Sequence, residues 1–481
     1  MNHARQGIRK RATDLLAFFP RARSTQREPT LMAEFVPRTI AKLQRDFAEG
    51  LSPVDVIEAC LARIEKDNPV HRAMIFVARD QALEDARLAE AELHADKRRG
   101  PLHGVPIAVK DVIDVHGWPT TSGSRLFDGH VAERDAACVA NLRAAGAIII
   151  GKTNLHELTA GGHDNPWFGK VVNPLDRSRG TGGTSSGSAA AVAAGFCVAA
   201  VGTDTGGSNR SPAAATGLVG FKPTNGVVDN TGVRPTAPSL DAIGPMATSI
   251  EDARLVHFAM QGSVAPPLKY ADLRGLAIGL CPDLHAAEVD PVLARSHDAW
   301  LGLVSDAGAV IHTLPFPLAA EVREAGGTIL AYEFASQYAR LIEQRPQSVG
   351  QAVADFVSTG RSIDKKSYRS ALALRVGARA EFLKLLSTVD ALAAPVAPGL
   401  APRLSDEMTK VGLDHVPYGL AGGSFRRWAN FFGVPALAMP VQSDDRLPAS
   451  IQVSTMPDGD AALFSICAAL RQATIGEIAN S

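Results

Sequence analysis

The sequence predicts an α/β protein in which helices cover both faces of a β-sheet. Short apolar runs, each bounded by glycine or proline, occupy residues 105–109, 147–150, 198–201 and 218–221. Continuous apolar runs of this length are typical of strands that are buried on both faces. Helical patterns at residues 136–145 and 188–194 supply the crossover connections that such a sheet needs.

Helices and strands are also expected on either side of this region. Ser52, Pro53 and Asp55 provide an N-cap, a proline in the first turn and a nearby acid, so a helix begins there and is expected to end at Pro69. Further helices are predicted at residues 80–96, 318–343 and 366–386, and further strands at residues 276–280 and 391–394. Because no internal repeat or low-complexity linker interrupts these elements, we predict one large domain over residues 36–475.

The preceding residues, 1–35, are predicted to form a basic extension that is partly helical or mobile. The first thirty contain seven basic and two acidic residues, and they lack the apolar region of a secretory signal. In the whole chain of 481 residues, 49 basic residues balance 50 acidic ones. Such a balance argues against a protein that binds nucleic acid by neutralising phosphates.

Cysteine usage and hydropathy indicate a cytoplasmic protein. The five cysteines are widely spaced and form no C-x-x-C pair, so neither a disulfide framework nor a zinc site is predicted. The longest apolar stretch, residues 189–202, is shorter than the roughly 18 residues of a membrane-spanning helix. We therefore expect no membrane partner.

Two common motifs match the sequence without fitting their structural contexts. Residues 146–153 match the phosphate-binding loop G-x-x-x-x-G-K-[ST], but their variable positions are the predicted strand itself, whose amides belong to the sheet. Residues 183–187 match G-x-S-x-G, but no strand precedes them and no later histidine has a catalytic context. Neither nucleotide binding nor a triad with histidine is therefore predicted.

Two loops rich in glycine and hydroxyl residues form the candidate site, at residues 182–188 and 202–212. Glycine allows backbone amides to converge on one point, where they can stabilise an anion, and Ser208 lies in such a run. A serine nucleophile also needs a base, and neither loop contains histidine. Lys110, flanked by apolar residues of a predicted strand, is a candidate because burial lowers the pKa of a lysine.

Three segments in this order resemble the amidase signature family: residues 104–111, residues 182–195, and residues 202–212 with the following 220–224. The similarity extends from about residue 40 to about residue 471. The resemblance implies a single α/β/α domain with a large mixed sheet. It also implies amide hydrolysis by a triad of a serine, a second serine after a cis peptide bond and a lysine, with no metal or organic cofactor.

The matched positions assign the members of this triad. Ser208 resembles the nucleophile that is acylated, and Lys110 resembles the terminal base. The family's bridging serine lies 24 residues before the nucleophile, where this chain has Thr184. A threonine keeps the hydroxyl that can donate and accept a proton, although its methyl group adds bulk. Ser185 is the alternative bridge and requires a shift of one residue in the loop, so Thr184 is favoured.

The resemblance also implies roles for residues around the triad. The oxyanion would be stabilised by the backbone amides of Thr205, Gly206, Gly207 and Ser208. The loop would be held in place by Asp204 and Arg210. An apolar or aromatic acyl group would be bound by residues that could equally pack the core, namely Leu158, Trp167 and Phe168. Residues 430–436 resemble the family's N-x-x-G-x-P-A segment, which is expected to close the pocket.

The predicted function is hydrolysis of a C–N bond in a small amide, such as an anilide, a primary amide, a carbamate or a hydrazide, through a seryl acyl-enzyme. A ureide hydrolase of the allophanate or biuret type is one alternative, supported by the serines of residues 185–188. A glutaminase subunit of a tRNA-dependent amidotransferase is another, but its usual loop reads G-G-S-S-G-G-S where this chain has G-G-T-S-S-G-S. The expected partner is a small-molecule amide rather than nucleic acid, and a homodimer is left open.

Overall fold

Eleven strands form one mixed sheet in the computed structural model, which describes residues 39–285, 288–405, 408–411 and 414–475. The strands of this sheet are β1 (Met74–Val77), β2 (Pro106–Lys110), β3 (Ile148–Thr153), β4 (Ala199–Asp204), β5 (Val219–Lys222), β6 (Ala242–Ala247), β7 (Ala277–Leu280), β8 (Val310–Thr313), β9 (Ala391–Pro395), β12 (Ala436–Val441) and β13 (Ala449–Ser454). A separate two-stranded sheet pairs β10 (Met408–Val411) with β11 (Asp414–Pro417).

Thirteen α-helices are found in the described residues. They are α1 (Ile40–Ala48), α2 (Pro53–His71), α3 (Arg79–His94), α4 (Ala137–Ala144), α5 (Ser186–Ala193), α6 (Arg210–Ala215), α7 (Ile250–Met260), α8 (Pro291–Asp306), α9 (Ala319–Gln344), α10 (Gln351–Ser362), α11 (Lys365–Leu386), α12 (Tyr418–Phe432) and α13 (Asp460–Ile475).

The order of the strands brings the two predicted loops to one place in the sheet. The order is β1-β3-β2-β4-β6-β5-β12-β13-β9-β7-β8. Strand β2 is parallel to both β3 and β4, whereas β4 is antiparallel to β6, so the sheet is mixed as the resemblance implied. Because β2 and β4 are parallel neighbours, their carboxyl ends lie side by side. Lys110 is the last residue of β2, and Asp204 is the last residue of β4.

The apolar runs are strands that are buried on both faces, as predicted. Every residue of β2, β3 and β4 is buried. Helices α2, α3 and α5 pack against these strands in one apolar cluster, and small side chains such as Ala189 and Ala190 let α5 approach closely. The prediction of a helix-covered sheet is confirmed.

Most predicted elements have bounds within about three residues of the observed ones, and the end of α2 is the instructive difference. The helix continues past Pro69 to His71 before Arg72 takes a left-handed conformation with φ 52°. A proline in the last turn removes few helical hydrogen bonds, and Asn68 then ties the helix to β1. Its side chain accepts from the amide of Met74 at 2.9 Å and donates to its carbonyl at 3.0 Å.

The segment that matches the phosphate-binding loop is strand β3, as the sequence predicted. Its Lys152 is fully buried and forms an ion pair with Asp111, with Nζ 3.1 Å from Oδ1. The backbone amides of this segment are therefore committed to the sheet and its lysine to a carboxylate.

All five cysteines are buried and have free thiols. No helix in the described ranges is long and apolar enough to cross a membrane. The predicted basic extension, residues 1–35, lies outside the described residues.

Candidate active site

Lys110 is the last residue of β2 and is completely buried. Its Nζ donates to the hydroxyl of Thr184 at 2.8 Å and to the hydroxyl of Thr203, on the adjacent strand β4, at 2.8 Å. Burial lowers the pKa of Lys110 to about 7, although the negative charges of Asp241 and Asp204 oppose this shift. At neutral pH a large fraction of this lysine is therefore uncharged and able to accept a proton.

Thr184 and Ser185 have different hydrogen-bond partners. The peptide bond between Gly183 and Thr184 is cis, and the Thr184 hydroxyl faces Lys110. The Ser185 hydroxyl instead donates to the carbonyl of Thr203 at 3.1 Å and accepts from its amide at 3.3 Å. Ser185 thus fixes the loop to β4, whereas Thr184 has its hydroxyl on the lysine.

Ser208 lies between β4 and α6 and lines the same cavity as Thr184. The loop around it is organised by the buried carboxylate of Asp204, which accepts from the amide of Gly207 at 2.8 Å and from that of Asn209 at 3.2 Å. Arg210 donates to the same carboxylate at 3.1 Å from Nε and 3.0 Å from Nη2. Burial opposes ionisation of Asp204, but the charge of Arg210 holds its pKa well below the ordinary value.

This arrangement corrects one expectation about the oxyanion site. The amide of Gly207 was expected to face the oxyanion together with those of three neighbouring residues, but it donates to Asp204 instead. The physical reason is that a buried carboxylate needs several donors, and the nearest amide of the loop supplies one.

Asn430 holds the same loop from the C-terminal part of the chain. Its Nδ2 donates to the carbonyl of Asp204 at 2.7 Å and to the carboxylate oxygen Oδ1 at 3.0 Å. Its own Oδ1 accepts from Arg210 at 2.9 Å, and Arg210 also reaches Gln452 at 2.7 Å. The segment expected to close the pocket therefore contributes Asn430 to the support of the loop, and Asn430 is not among the residues that line the cavity.

The cavity beside Ser208 has a volume of about 400 Å³. Apolar side chains contribute part of its wall: Ala160, Leu330 and Phe356. Polar and charged side chains contribute much of the rest: His156, Thr159, His163, Thr184, Thr205, Ser208, Ser211, Thr236, Arg426 and Arg427. Lys110 lies behind Thr184, so the hydroxyl of Thr184 separates the lysine from the cavity.

The three residues expected to bind the acyl group are outside this lining. Leu158 is 1% exposed and packs in an apolar cluster, and it does not itself line the cavity. Trp167 donates from its ring nitrogen to Glu157 at 2.7 Å, and the backbone amide of Phe168 donates to Asn165 at 3.0 Å. Leu158 therefore packs in the core, which was the alternative prediction for this residue. The two larger apolar side chains of the wall, Leu330 and Phe356, come instead from α9 and α10. Nothing in the local sequence of these helices indicates that they approach the loops.

Sequence reasoning also missed two groups close to the lysine. Thr203 carried no signal because it is one of many hydroxyl residues in its loop. Asp241 accepts from the Thr205 hydroxyl at 2.6 Å and from the Thr236 amide at 2.9 Å. Burial raises the pKa of Asp241 to about 6 although these hydrogen bonds oppose the shift. An acid whose charge acts on Lys110 from a distant segment is recognisable only in the folded chain.

Comparison with known proteins agrees with the fold. A family model described as Amidase matches residues 55–464. One of the component chains of the glutamyl-tRNA(Gln) amidotransferase from Symbiobacterium thermophilum is 35% identical over 475 residues, which cover 90% of this chain and 96% of that protein.

Two solved structures are similar over almost their whole length. One, described as a crystal structure of amidase, has a TM-score of 0.85 and 32% identity, and the match covers 90% of this chain and 99% of that one. The other belongs to a vestigial protein complex that reveals the evolutionary origins of an s-triazine catabolic enzyme. It has a TM-score of 0.85 and 28% identity, with 91% of this chain and 98% of that one covered. Together with the sheet and loops described above, these matches show that the chain belongs to the amidase signature family and is a hydrolase of carbon–nitrogen bonds other than peptide bonds.

Proposed function

We propose that the protein hydrolyses the C–N bond of a small amide through an acyl-enzyme on Ser208, with Thr184 as the bridging hydroxyl and Lys110 as the base. One observation carries this proposal. The buried Nζ of Lys110 lies 2.8 Å from the hydroxyl of Thr184, and Thr184 and Ser208 border the same cavity. A lysine in that position can accept a proton because burial lowers its pKa to about 7.

The proposed reaction begins with proton transfer along the three side chains. Neutral Lys110 takes the proton of the Thr184 hydroxyl while Thr184 takes that of Ser208, and the Ser208 oxygen attacks the amide carbon. The same groups then return the proton to the nitrogen of the leaving amine or ammonia, and the C–N bond breaks. Water, activated by the same relay, attacks the acyl carbon and releases the carboxylic acid together with free Ser208.

The oxyanion that forms during this attack needs hydrogen-bond donors. With the Gly207 amide bound to Asp204, the proposed donors are the amides of Thr205, Gly206 and Ser208. A donor of this kind contributes about 2.7–4 kcal/mol to stabilisation of the transition state. Asp204 would act on the rate indirectly, because it fixes the loop that carries these amides.

Substitution of Ser208 tests the proposal. With an anilide as substrate, the first turnover of the protein should release amine in a burst and leave an acyl group on the chain, detectable as an increase in intact mass. Ser208→Ala should lose the burst and the mass increase, and its turnover should fall by roughly 10⁴-fold or more. Ser358→Ala, at an exposed position on α10, is the matched control. A burst that persists in Ser208→Ala would disprove the assignment of the nucleophile.

A second candidate function is that of a glutaminase subunit within an amidotransferase. It is favoured by the 35% identity to the component chain of glutamyl-tRNA(Gln) amidotransferase. A protein of this kind should assemble with partner chains and release ammonia from glutamine. Native mass of the protein purified from its own cells, combined with a panel of glutamine, anilides, primary amides and ureides, separates this candidate from an independent amidohydrolase. Preference for a ureide would instead favour the allophanate or biuret type of activity.

A further inference from the structure

We propose that Arg427 binds a carboxylate of the substrate, so that the preferred substrate is a small amide that also carries a carboxylate group. This inference rests on the proposed function, and it specifies the class of substrate. It concerns a residue that no motif in the sequence marks and that lies on α12, far along the chain from both catalytic loops.

Arg427 reaches the loop of the proposed nucleophile through space that glycine residues leave open. It lines the cavity together with Ser208 and Thr184. Its Nε lies 3.4 Å from the point where a Cβ at Gly206 would stand, and its Nη2 lies 2.6 Å from the corresponding point at Gly423. A side chain at Gly423 would therefore displace the guanidinium, and one at Gly206 would press on it. The backbone next to Ser208 and the guanidinium thus border one small volume.

The guanidinium has no acid of its own among the side chains that the structure describes. No described carboxylate lies within ion-pair distance of Arg427, and its buried Nε has no hydrogen-bond partner. Arg210 and Arg254 differ in this respect, since Arg210 pairs with Asp204 at 3.0 Å and Arg254 pairs with Glu251. Burial lowers the pKa of Arg427, which reflects the cost of keeping an unpaired cation there. An anion that entered the cavity would offset that cost.

The rest of the cavity suits an anion of limited size. None of the described residues that line the cavity is acidic. Arg426 adds a second guanidinium to the lining, and this group also donates to the carbonyl of Val396 at 2.7 Å. A guanidinium presents parallel N–H donors that match the two oxygens of a carboxylate. The apolar side chains of Leu330 and Phe356 can contact a short hydrocarbon chain. A cavity of about 400 Å³ next to the nucleophile therefore fits a short chain with an amide at one end and a carboxylate at the other.

Matched pairs of substrates test this inference by turnover. Succinamate and glutaramate carry a carboxylate, and butyramide and valeramide have a methyl group in its place. Of the two carboxylates, we expect the better substrate to have a kcat/KM at least tenfold higher than that of its neutral counterpart. The ratio should fall at least tenfold in Arg427→Gln, recover in part in Arg427→Lys, and stay unchanged in Arg340→Gln, an exposed arginine on α9. A ratio near one in the unaltered protein, or equal ratios before and after Arg427→Gln, would overturn the inference and leave the proposed function intact.

A binding experiment decides the matter even if none of these amides is hydrolysed. Succinamate is titrated calorimetrically into Ser208→Ala and into the double variant Ser208→Ala with Arg427→Gln. The dissociation constant should rise at least tenfold in the double variant. Equal constants, or no binding in either variant, would overturn the role of Arg427. If the unaltered protein hydrolyses none of these amides but the two variants still differ in their dissociation constants, the result would count against the proposed function and not against the role of Arg427. Circular dichroism confirms that each variant is folded, and Arg427→Lys replaces Arg427→Gln if the latter is not.

Discussion

Lys110 and Lys152 lie on neighbouring parallel strands, and both are completely buried, but their partners differ. Lys152 forms an ion pair with Asp111 at 3.1 Å, whereas Lys110 donates to the hydroxyls of Thr184 and Thr203. Burial lowers the pKa of both lysines, and at Lys152 the adjacent carboxylate opposes that effect directly. Although the two lysines are equally buried, the nearest partner therefore distinguishes a lysine paired with an acid, Lys152, from the proposed base, Lys110.

The largest effect is expected from Lys110→Met. Loss of the base should lower kcat/KM for an amide by roughly 10⁴-fold or more. Because no ion pair is broken, the free energy of unfolding should fall by no more than about 1 kcal/mol. Steady-state kinetics and urea denaturation measure the two quantities. Activity within tenfold of the unaltered protein would show that Lys110 is not the base.

The next largest effect should distinguish Thr184 from Ser185. Thr184→Ala removes the proposed bridge and should slow turnover by roughly 10²–10⁴-fold. Thr184→Ser keeps the hydroxyl and should restore most of the rate. Ser185→Ala removes hydrogen bonds to the backbone of Thr203 and should cost about 1 kcal/mol of stability, with a smaller loss of rate. The opposite order of rates would transfer the bridging role to Ser185.

Lys152→Met should act on stability instead of catalysis. It leaves the carboxylate of Asp111 buried without its cation, which should lower the free energy of unfolding by about 3–5 kcal/mol. Adding Asp111→Asn should recover part of this loss, and a double-mutant cycle in urea measures the coupling. If Lys152→Met unfolds at the same urea concentration as the unaltered protein, Lys152 is not the structural cation that its ion pair indicates.

The smallest effect is expected from Asp241→Asn, as a shift in the pH dependence of the rate. Protonated Lys110 cannot accept a proton, so kcat/KM for a neutral amide should rise about tenfold per pH unit below pH 7 and level off above it. The negative charge of Asp241 raises the pKa of Lys110, so Asp241→Asn should move this profile to lower pH. Shift of the profile to higher pH, or a rate independent of pH between about 5 and 8, would contradict the proposed base.

The central part of the fold was predictable because its signals are local. Apolar runs bounded by glycine indicate buried strands without knowledge of their partners, and β2, β3 and β4 are found where those runs occur. The apolar residues on both sides of Lys110 likewise indicated that it is buried. Local pattern therefore located the strands and one buried lysine.

Contacts between distant segments were not predictable in the same way. Phe356 and Arg427 reach the cavity from helices that lie far along the chain, and nothing in their own sequence context indicates it. The amide of Gly207 binds Asp204 because of the detailed course of the loop. Leu158 lies in the expected segment but packs in an apolar cluster, because sequence position does not determine the direction of a side chain.

The reactivity of the buried cysteines can be used to measure unfolding of the protein. Burial raises the pKa of Cys60 and of Cys138 to about 12, and it also raises the pKa of Cys197 and Cys467. Thiolate is the form that reacts with alkylating agents, so these thiols are protected for as long as the chain stays folded. Brief exposure to iodoacetamide, followed by mass spectrometry, would therefore measure the fraction of unfolded molecules in each variant without an introduced cysteine.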